Sequence, residues 1–213
     1  MENQINISPL NPPEKESGQA LKGALRTNEA HFRELGVKKT TIKFPNLLLI
    51  AGNGRNVGKT TLACKIISWF SAEKEVVGLK ISPHFYEFNE ADVVFKNKQV
   101  AIVEEKKIDT KDSSLMLQAG AKKVYFVMVK PEHLHRAVEH MIKILPNKLI
   151  VCESGGLHEY VNPGLFLMVN RKGKEIVKTN LLQYDPIIVN NDGKNFDFDI
   201  HQVEFKNHQI KLK

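Results

Sequence analysis

An apolar run that leads through a glycine-rich turn into a helix-forming segment constrains the fold of this chain most. The run at residues 46–51 ends in a turn with glycines at positions 52, 54 and 58, and apolar residues then recur at helical spacing over residues 58–72. A buried strand followed by such a turn presents backbone N–H groups and the positive end of a helix to an anion, and glycine lets the backbone approach it closely. The segment therefore predicts an α/β fold with a polyphosphate-binding turn.

The turn itself, residues 52–61, reads GNGRNVGKTT. Lys59 is positioned to reach the β- and γ-phosphates of a nucleotide, and the hydroxyl of Thr60 is positioned to ligate Mg²⁺. The common spacing GxxxxGK[ST] would put its first glycine at position 53, where this chain has Asn53 between two glycines. Arg55 is open to two interpretations, a phosphate contact or a solvated loop residue. We predict nucleotide contacts from the whole turn: Gly52, Asn53, Gly54, Arg55, Asn56, Val57, Gly58, Lys59, Thr60 and Thr61.

Apolar runs alternate with helical segments from residue 45 onward, which predicts a three-layer α/β domain with a mainly parallel sheet. The predicted strands are residues 46–51, 75–81, 99–103, 123–129, 148–152, 165–169, 175–178 and 186–189. The predicted helices are residues 58–72, 111–119 and 131–145. The last stretch, HQVEFKNHQIKLK, alternates apolar and polar residues and predicts a C-terminal β-hairpin or meander.

The N-terminal segment differs from the rest of the chain in composition. Residues 1–17 are rich in proline and polar residues and predict a flexible tail, whereas residues 18–44 predict a leader helix and a linker. Residues 1–40 carry six Lys and Arg against five Glu, so this segment is not a basic arm for nucleic acid. The nucleotide-binding domain is then expected over residues 45–213.

The charge balance narrows the class of partner. The chain has 31 Lys and Arg against 24 Asp and Glu, a formal charge of +7, but no Lys- and Arg-rich stripe interleaved with aromatic residues. We therefore expect a nucleotide as the anionic partner, and not nucleic acid. No apolar run approaches the roughly 18 residues that a membrane span needs. Two separate cysteines, Cys64 and Cys152, without a CxxC motif predict a reduced, cytoplasmic protein.

Charged residues follow two of the other predicted strands. Glu153 comes directly after the run at residues 148–152, where a carboxylate could hold Mg²⁺ or orient the attacking group, although acids at strand ends are also common on surfaces. Ser154 and Gly155 can offer backbone N–H groups to an anion. Lys80, at the end of the second predicted strand, points to the same anion.

Two further positions have competing interpretations. Asp112 begins a predicted helix, where it is either a first-turn acid or a metal ligand. The segment at residues 190–192 follows a predicted strand and either contacts a base or forms a plain turn. The catalytic candidates are then Lys59 and Glu153, and the candidate magnesium ligands are Thr60, Asp112 and Glu153.

The spacing of the turn resembles that of known nucleotide-binding enzymes. Gly52, five residues, Gly58, Lys59 and Thr60 follow the pattern of P-loop enzymes of the dethiobiotin synthetase and cobyric acid synthase kind. In those enzymes the first glycine stands one place earlier than in the common pattern. The resemblance implies the three-layer fold of P-loop nucleoside triphosphatases.

More of the chain resembles the MobB family, GTP-binding proteins associated with molybdenum cofactor maturation. Three segments besides the turn carry this resemblance: VVGLKISPHF at residues 76–85, KDSSLMLQAGA at residues 111–121, and LIVCESGGL at residues 149–157 followed by LMVNR. Ile81, Phe85 and Leu115 stand where the family has His, Asp and Arg.

The MobB resemblance implies a slow GTPase that binds GTP with Mg²⁺ and forms a homodimer. Its partner would be molybdopterin or the enzyme that makes the molybdopterin dinucleotide. The dethiobiotin synthetase resemblance implies instead an ATP-dependent enzyme that activates a carboxylate, with Lys80 or the loop after Glu153 holding the acid. A regulatory or scaffolding module that uses nucleotide as a structural switch is a third reading, because the three substituted positions lose polar contacts.

Overall fold

An eight-stranded, mainly parallel sheet organises residues 41–213, which are the residues that the structure, a computed structural model, describes. The predicted tail and leader helix over residues 1–40 lie outside the described residues. The strands of the sheet lie in the order β3-β4-β5-β2-β6-β1-β7-β8. They are β1 (Ile42–Gly52), β2 (Val76–Ser82), β3 (Val93–Lys96), β4 (Val100–Glu104), β5 (Lys123–Val129), β6 (Leu149–Glu153), β7 (Val161–Arg171) and β8 (Ile187–Asn191).

In this spatial order the six strands β5-β2-β6-β1-β7-β8 are parallel to their neighbours. Strand β4 pairs antiparallel with β5, and β3 pairs antiparallel with β4 at the edge of the sheet. A separate hairpin follows, formed by β9 (Val203–Lys206) and β10 (Gln209–Leu212). The α-helices are α1 (Lys59–Ser71), α2 (Asp112–Gln118) and α3 (Leu134–Ile144). No helix within residues 41–213 is long and apolar enough to cross a membrane.

Both faces of the sheet are covered. Apolar residues of α1, α2 and the hairpin pack on one face, and apolar residues of α3 pack on the other. The inner strand β6 is buried along its whole length because parallel strands need cover on both sides. The predicted α/β class, mainly parallel sheet and C-terminal hairpin are thus confirmed.

Three strand assignments need correction. Residues 175–178 form no strand, because their backbone is bound by an asparagine side chain and not by a neighbouring strand. Strand β3 was missed because it is four residues long and half-buried. Strand β1 also begins at Ile42, inside the stretch that the sequence assigned to the linker.

The connections bring the carboxyl ends of three adjacent strands, β2, β6 and β1, to the same side of the sheet. After β1 the chain passes through α1 to β2, and β6 lies between these two strands, whereas β7 pairs on the other side of β1. The connection after β1 therefore runs towards one edge of the sheet, whereas the connection after its neighbour β6 runs towards the other edge. In open α/β sheets, ligands bind beyond the carboxyl ends of the strands at such a switch point.

Gly164 allows β7, β1 and the hairpin to approach closely. A Cβ atom at Gly164 would clash with the carbonyl oxygen of Pro45 and lie 2.7 Å from the carbonyl oxygen of Ile210. Neither backbone group can rotate away as a side chain could. The hairpin is thus packed against the sheet by backbone contact at this position.

We expect Gly164→Ala to lower the free energy of unfolding by about 1–3 kcal/mol, the usual cost of overpacking a filled interior. Urea unfolding followed by circular dichroism measures the change. Gly155→Ala is the matched control, because a Cβ there meets nothing within 4 Å. Equal stability of the two variants would contradict the close approach.

Candidate functional site

The glycine-rich loop, residues 52–58, joins β1 to the first residue of α1. Gly58 has φ 103°, a left-handed conformation that favours glycine, and a Cβ there would clash with the side-chain amide of Asn191. Gly58 also occupies the N-cap position of α1 and so supplies no side-chain cap. The first N–H groups of this helix are therefore left for another acceptor, such as an anion.

The side chain of Lys59 folds back over the glycine-rich loop. Its ammonium donates a hydrogen bond to the carbonyl oxygen of Gly54 at 3.0 Å, and a Cβ at Gly52 would lie 2.7 Å from its Cδ atom. Burial lowers the pKa of Lys59, and the opposing charge of Glu153 offsets only part of this effect. Within the described part of the chain the ammonium is thus held at the loop by one neutral carbonyl, which a phosphate oxygen could replace.

Four side chains from four different elements meet beside this lysine. The hydroxyl of Thr60 donates to either Asp112 Oδ1, at 3.0 Å, or Glu153 Oε2, at 2.8 Å. Lys80 Nζ lies 2.6 Å from Asp112 Oδ2 and 2.7 Å from Glu153 Oε1. We call Thr60, Lys80, Asp112 and Glu153 the carboxylate cluster.

Strand register explains why Lys80 and Glu153 form a pair. They are directly opposite each other in the parallel pairing of β2 with β6, so their side chains lie on the same face, towards α1. Glu153 is only 3% exposed, and its charge therefore needs a partner at that position. Asp112 reaches the same ammonium from the first turn of α2.

The pKa values of the cluster reflect this pairing. Burial by itself would lower the pKa of Lys80, but the charges and hydrogen bonds of Glu153 and Asp112 raise it above its usual value. Burial would likewise raise the pKa of Asp112, but the hydrogen bond and charge of Lys80, with the bond from Thr60, hold it below its usual value. Both groups therefore remain charged at neutral pH.

The carboxylate cluster contains oxygens of the kind that Mg²⁺ takes as ligands. The described residues contain no group of three or more His, Cys, Asp and Glu side chains suited to a metal. Mg²⁺ does not need such a group, since it commonly takes one or two carboxylates together with waters and phosphate oxygens. Thr60, Asp112 and Glu153 supply one hydroxyl and two carboxylates, and Lys80 holds a positive charge between them.

Several predicted contact residues already have other partners. The amide of Asn53 binds backbone groups of residues 175–178, and its N–H donates to the carbonyl of Val169 at 2.9 Å. The hydroxyl of Ser154 accepts from the N–H groups of residues 156 and 157, at 3.3 and 3.2 Å. The side chain of Val57 is buried in the core under α1. These side chains shape the site more than they offer groups to a ligand.

Other predicted contact residues remain accessible. The side chains of Arg55, Asn56 and Thr61 are exposed, and Gly155 has open space around it. Asn56 has φ 54°, so the loop makes a second left-handed turn there. The structure therefore brings Thr60, Lys80, Asp112 and Glu153 within bonding distance of one another and places Lys59 close enough for their charges to affect it.

Sequence reasoning missed the role of Asn191 at the end of β8. Its side-chain amide donates to the carbonyl oxygen of Val57 at 2.8 Å and so holds the middle of the glycine-rich loop. The only indication in the sequence was that Asn191 follows a predicted strand, and a residue in that place can equally belong to a turn. The next residue, Asp192, does form a turn, because its carboxylate accepts from the N–H groups of Lys194 and Asn195.

A pocket of about 240 Å³ opens beside the carboxylate cluster. Lys80 and Asp112 form the side that it shares with the cluster, and Lys111 adds a second cation. Tyr86 and Phe126 form an aromatic wall, with ring centroids 5.8 Å apart. The pocket is therefore suited to a small anion with an apolar part.

Comparisons with known proteins return no match: no family model, curated protein or solved structure is significantly similar to this chain. The interpretation of the site therefore rests on its own geometry. Its two distinct parts are the glycine-rich loop with Lys59 and the carboxylate cluster beside it.

Asp112→Asn should lower the free energy of unfolding near neutral pH by about 0.5–1 kcal/mol, the range for partly exposed ion pairs. The lowered pKa of Asp112 means that its contribution is present above the usual value of 3.8 and is lost as the pH falls through the folded-state pKa. The difference from the wild type should therefore shrink below about pH 4. Urea unfolding at pH 7, 5 and 3 measures it.

Asp185→Asn is the matched control for this experiment. Asp185 is exposed and lies at φ 49°, a conformation that asparagine tolerates, and its side chain has no hydrogen bond or ion pair within residues 41–213. A pH-independent difference for Asp112→Asn would mean that its pairing with Lys80 adds no stability.

Proposed function

We propose that this chain is a magnesium-dependent P-loop protein that binds a nucleoside triphosphate. The observation that carries the proposal is the convergence of Thr60, Asp112 and Glu153 beside an uncapped helix start and the folded side chain of Lys59. These groups come from three separate segments of the sequence. A purely structural ion pair would not require a glycine-rich loop and a free helix terminus at the same point.

Each group has a defined task under this proposal. The backbone N–H groups of the glycine-rich loop and of α1 bind phosphate oxygens, and Lys59 leaves the carbonyl of Gly54 to neutralise the β- and γ-phosphates. Thr60, Asp112 and Glu153 hold Mg²⁺, which when bound neutralises charge on the phosphates. Glu153 is also the group that can orient an attacking water or acceptor.

The MobB-like reading gives the proposal its particular form: a slow GTPase in the maturation of the molybdenum cofactor. Lys80, Asp112 and Glu153 lie in the three segments that carry this resemblance, and their contact in the fold supports it. Molybdopterin or a cofactor-biosynthesis enzyme would be the partner of a cytoplasmic homodimer. The substituted residues Phe85 and Leu115 are both exposed and lie outside the cluster.

The dethiobiotin synthetase-like reading is favoured by a different observation, the pocket beside Lys80. A carboxylate substrate held there by Lys111, with Lys80 still paired to Asp112 and Glu153 in the pocket wall, would lie beside the carboxylate cluster. The chain would then be an ATP-dependent enzyme that transfers phosphate to the acid. Base preference and the effect of an acid on phosphate release distinguish the two forms.

Calorimetric titration with GTP, ATP and their non-hydrolysable analogues tests the proposal. We expect a micromolar or lower Kd in the presence of Mg²⁺ and a marked loss when EDTA is added. Lys59→Ala should weaken binding by about ten- to a hundredfold, the value of a lost charge-assisted hydrogen bond. A GTP preference with turnover below about one per minute would favour the MobB-like form.

Lys74→Ala is the matched control, because Lys74 is an exposed lysine just beyond the end of α1. It should bind nucleotide as the wild type does. If the wild-type protein binds neither nucleotide, or if Lys59→Ala binds as tightly as the wild type, the proposed site is wrong.

A further inference from the structure

A segment without regular secondary structure, residues 172–178, follows β7 and passes beside the glycine-rich loop. We call it the strap. It is held by side chains, because Asn53, directly after β1, and Asn170, near the carboxyl end of β7, bind its backbone. Ile176 also packs against the core on the face that α3 covers. The strap is therefore fixed next to the site, although no strand pairs with it.

Asn53 makes most of these contacts. Its Nδ2 atom donates to Asn170 Oδ1 at 2.8 Å and to the carbonyl of Glu175 at 2.7 Å. Its Oδ1 atom accepts from the N–H groups of Val177 and Lys178, at 2.8 and 3.1 Å. The amide is 7% exposed and uses both its donors and both acceptor positions. Glycine, which the common loop pattern has here, could make none of these bonds.

Asn170 extends the same arrangement across the sheet. Its Nδ2 atom donates to the carbonyl of Lys174 at 2.9 Å and to Asn190 Oδ1 at 3.3 Å. Asn170 and Asn190 are directly opposite each other in the pairing of β7 with β8. Asn53, Asn170 and Asn190 thus form a row that links the beginning of the glycine-rich loop to the strap and to β8. The pairing of the strands therefore fixes the position of the strap.

Lys178 is the cation whose backbone this arrangement holds beside the glycine-rich loop. Its backbone N–H is bound to Asn53, the residue next to Gly54, whose carbonyl holds the ammonium of Lys59. Within residues 41–213 the ammonium of Lys178 makes no hydrogen bond or ion pair, and the residue is exposed. The charge of Lys178 lowers the pKa of Lys59. Its effect is smaller than those of burial and of the charges on Glu153 and Lys80.

The charges around the glycine-rich loop show whether a triphosphate there would need a cation besides Lys59 and Lys80. Lys80 is already paired with both carboxylates of the cluster, so it cannot also neutralise a triphosphate without giving up those partners. Among the residues that the structure describes, the ammonium of Lys59 has only a neutral carbonyl as a partner. A nucleoside triphosphate with Mg²⁺ still carries negative charge on its terminal phosphate, and a second unpaired cation at the same end of the loop would complement it.

We propose that Lys178 binds the terminal phosphate of the nucleotide, and that Asn53 is the positioning residue that holds Lys178 there. The proposal rests on the proposed function, because it assumes a triphosphate on the glycine-rich loop. It explains why this chain has asparagine where the common pattern has glycine. It also gives residues 172–178 a specific task, the discrimination of a triphosphate from a diphosphate.

Lys178→Gln should raise the Kd for a non-hydrolysable triphosphate about three- to tenfold and change the Kd for the diphosphate less than twofold. Calorimetry with Mg²⁺ at fixed ionic strength measures both. Lys172→Gln is the matched control: it removes one exposed charge from the same strap, near Asp192 and away from Lys59. The control should leave both affinities unchanged.

Asn53→Gly tests the positioning role. It restores the common glycine and removes the bonds to the strap, so it should lower the triphosphate-to-diphosphate preference as Lys178→Gln does. The double variant should lose no more than either single variant, because Asn53 acts through Lys178. A general loss of stability would weaken binding of both nucleotides equally and would leave their ratio unchanged. Thermal unfolding of each variant checks that the fold is retained.

The outcomes separate this inference from the proposed function. If Lys59→Ala weakens binding about ten- to a hundredfold while Lys178→Gln binds the triphosphate as the wild type does, the role of Lys178 is wrong and the phosphate site stands. Equal losses for triphosphate and diphosphate would also overturn it, because the effect would then not concern the terminal phosphate. If the wild-type protein binds no nucleotide, both proposals fail together.

Discussion

The buried pair of Glu153 and Lys80 is the interaction on which the rest of the candidate site depends. Glu153 is 3% exposed, and an isolated carboxylate at that depth would cost several kcal/mol. The parallel pairing of β2 with β6 sets Lys80 directly opposite, so the register of the sheet supplies the countercharge. Asp112 and the hydroxyl of Thr60 then complete the hydrogen bonding. Four elements are thereby held around one buried charge, which gives the site a defined geometry on a rigid part of the fold.

The glycine-rich loop depends on its neighbours in the fold as much as on its own sequence. Gly52 and Gly58 are required because the side chains of Lys59 and Asn191 occupy the space that a Cβ would need. Asn53 instead uses its side chain fully, in bonds to the strap and to Asn170. The loop therefore combines an uncapped helix start at Gly58 with a firm attachment at Asn53. An anion site needs both properties, since donors that must be reordered on binding contribute less.

Much of the architecture could be predicted from residue patterns because long apolar runs and helical periodicity are local signals. The buried strands near residues 46–51 and 148–152 and the amphipathic helix α3 are examples. The errors arose where long-range contacts decide the conformation. Residues 175–178 contain the β-branched pair Ile176 and Val177, which favours a strand, yet their N–H and C=O groups bind Asn53, more than 120 residues away. The sequence pattern contains no information on that partner.

The candidate site divides in the same way. The sequence by itself determined the glycine-rich loop, its lysine and threonine, and three further charged residues at strand or helix ends, because these signals are motifs or neighbours of motifs. Only the tertiary structure decided that Lys80, Asp112 and Glu153 meet at Thr60, since strand order and register set which chain ends are adjacent. It also decided that Asn53 faces the strap and that Asn191 holds Val57. Local sequence specifies which groups a chain offers, whereas the pairing of distant strands specifies which of them come within bonding distance.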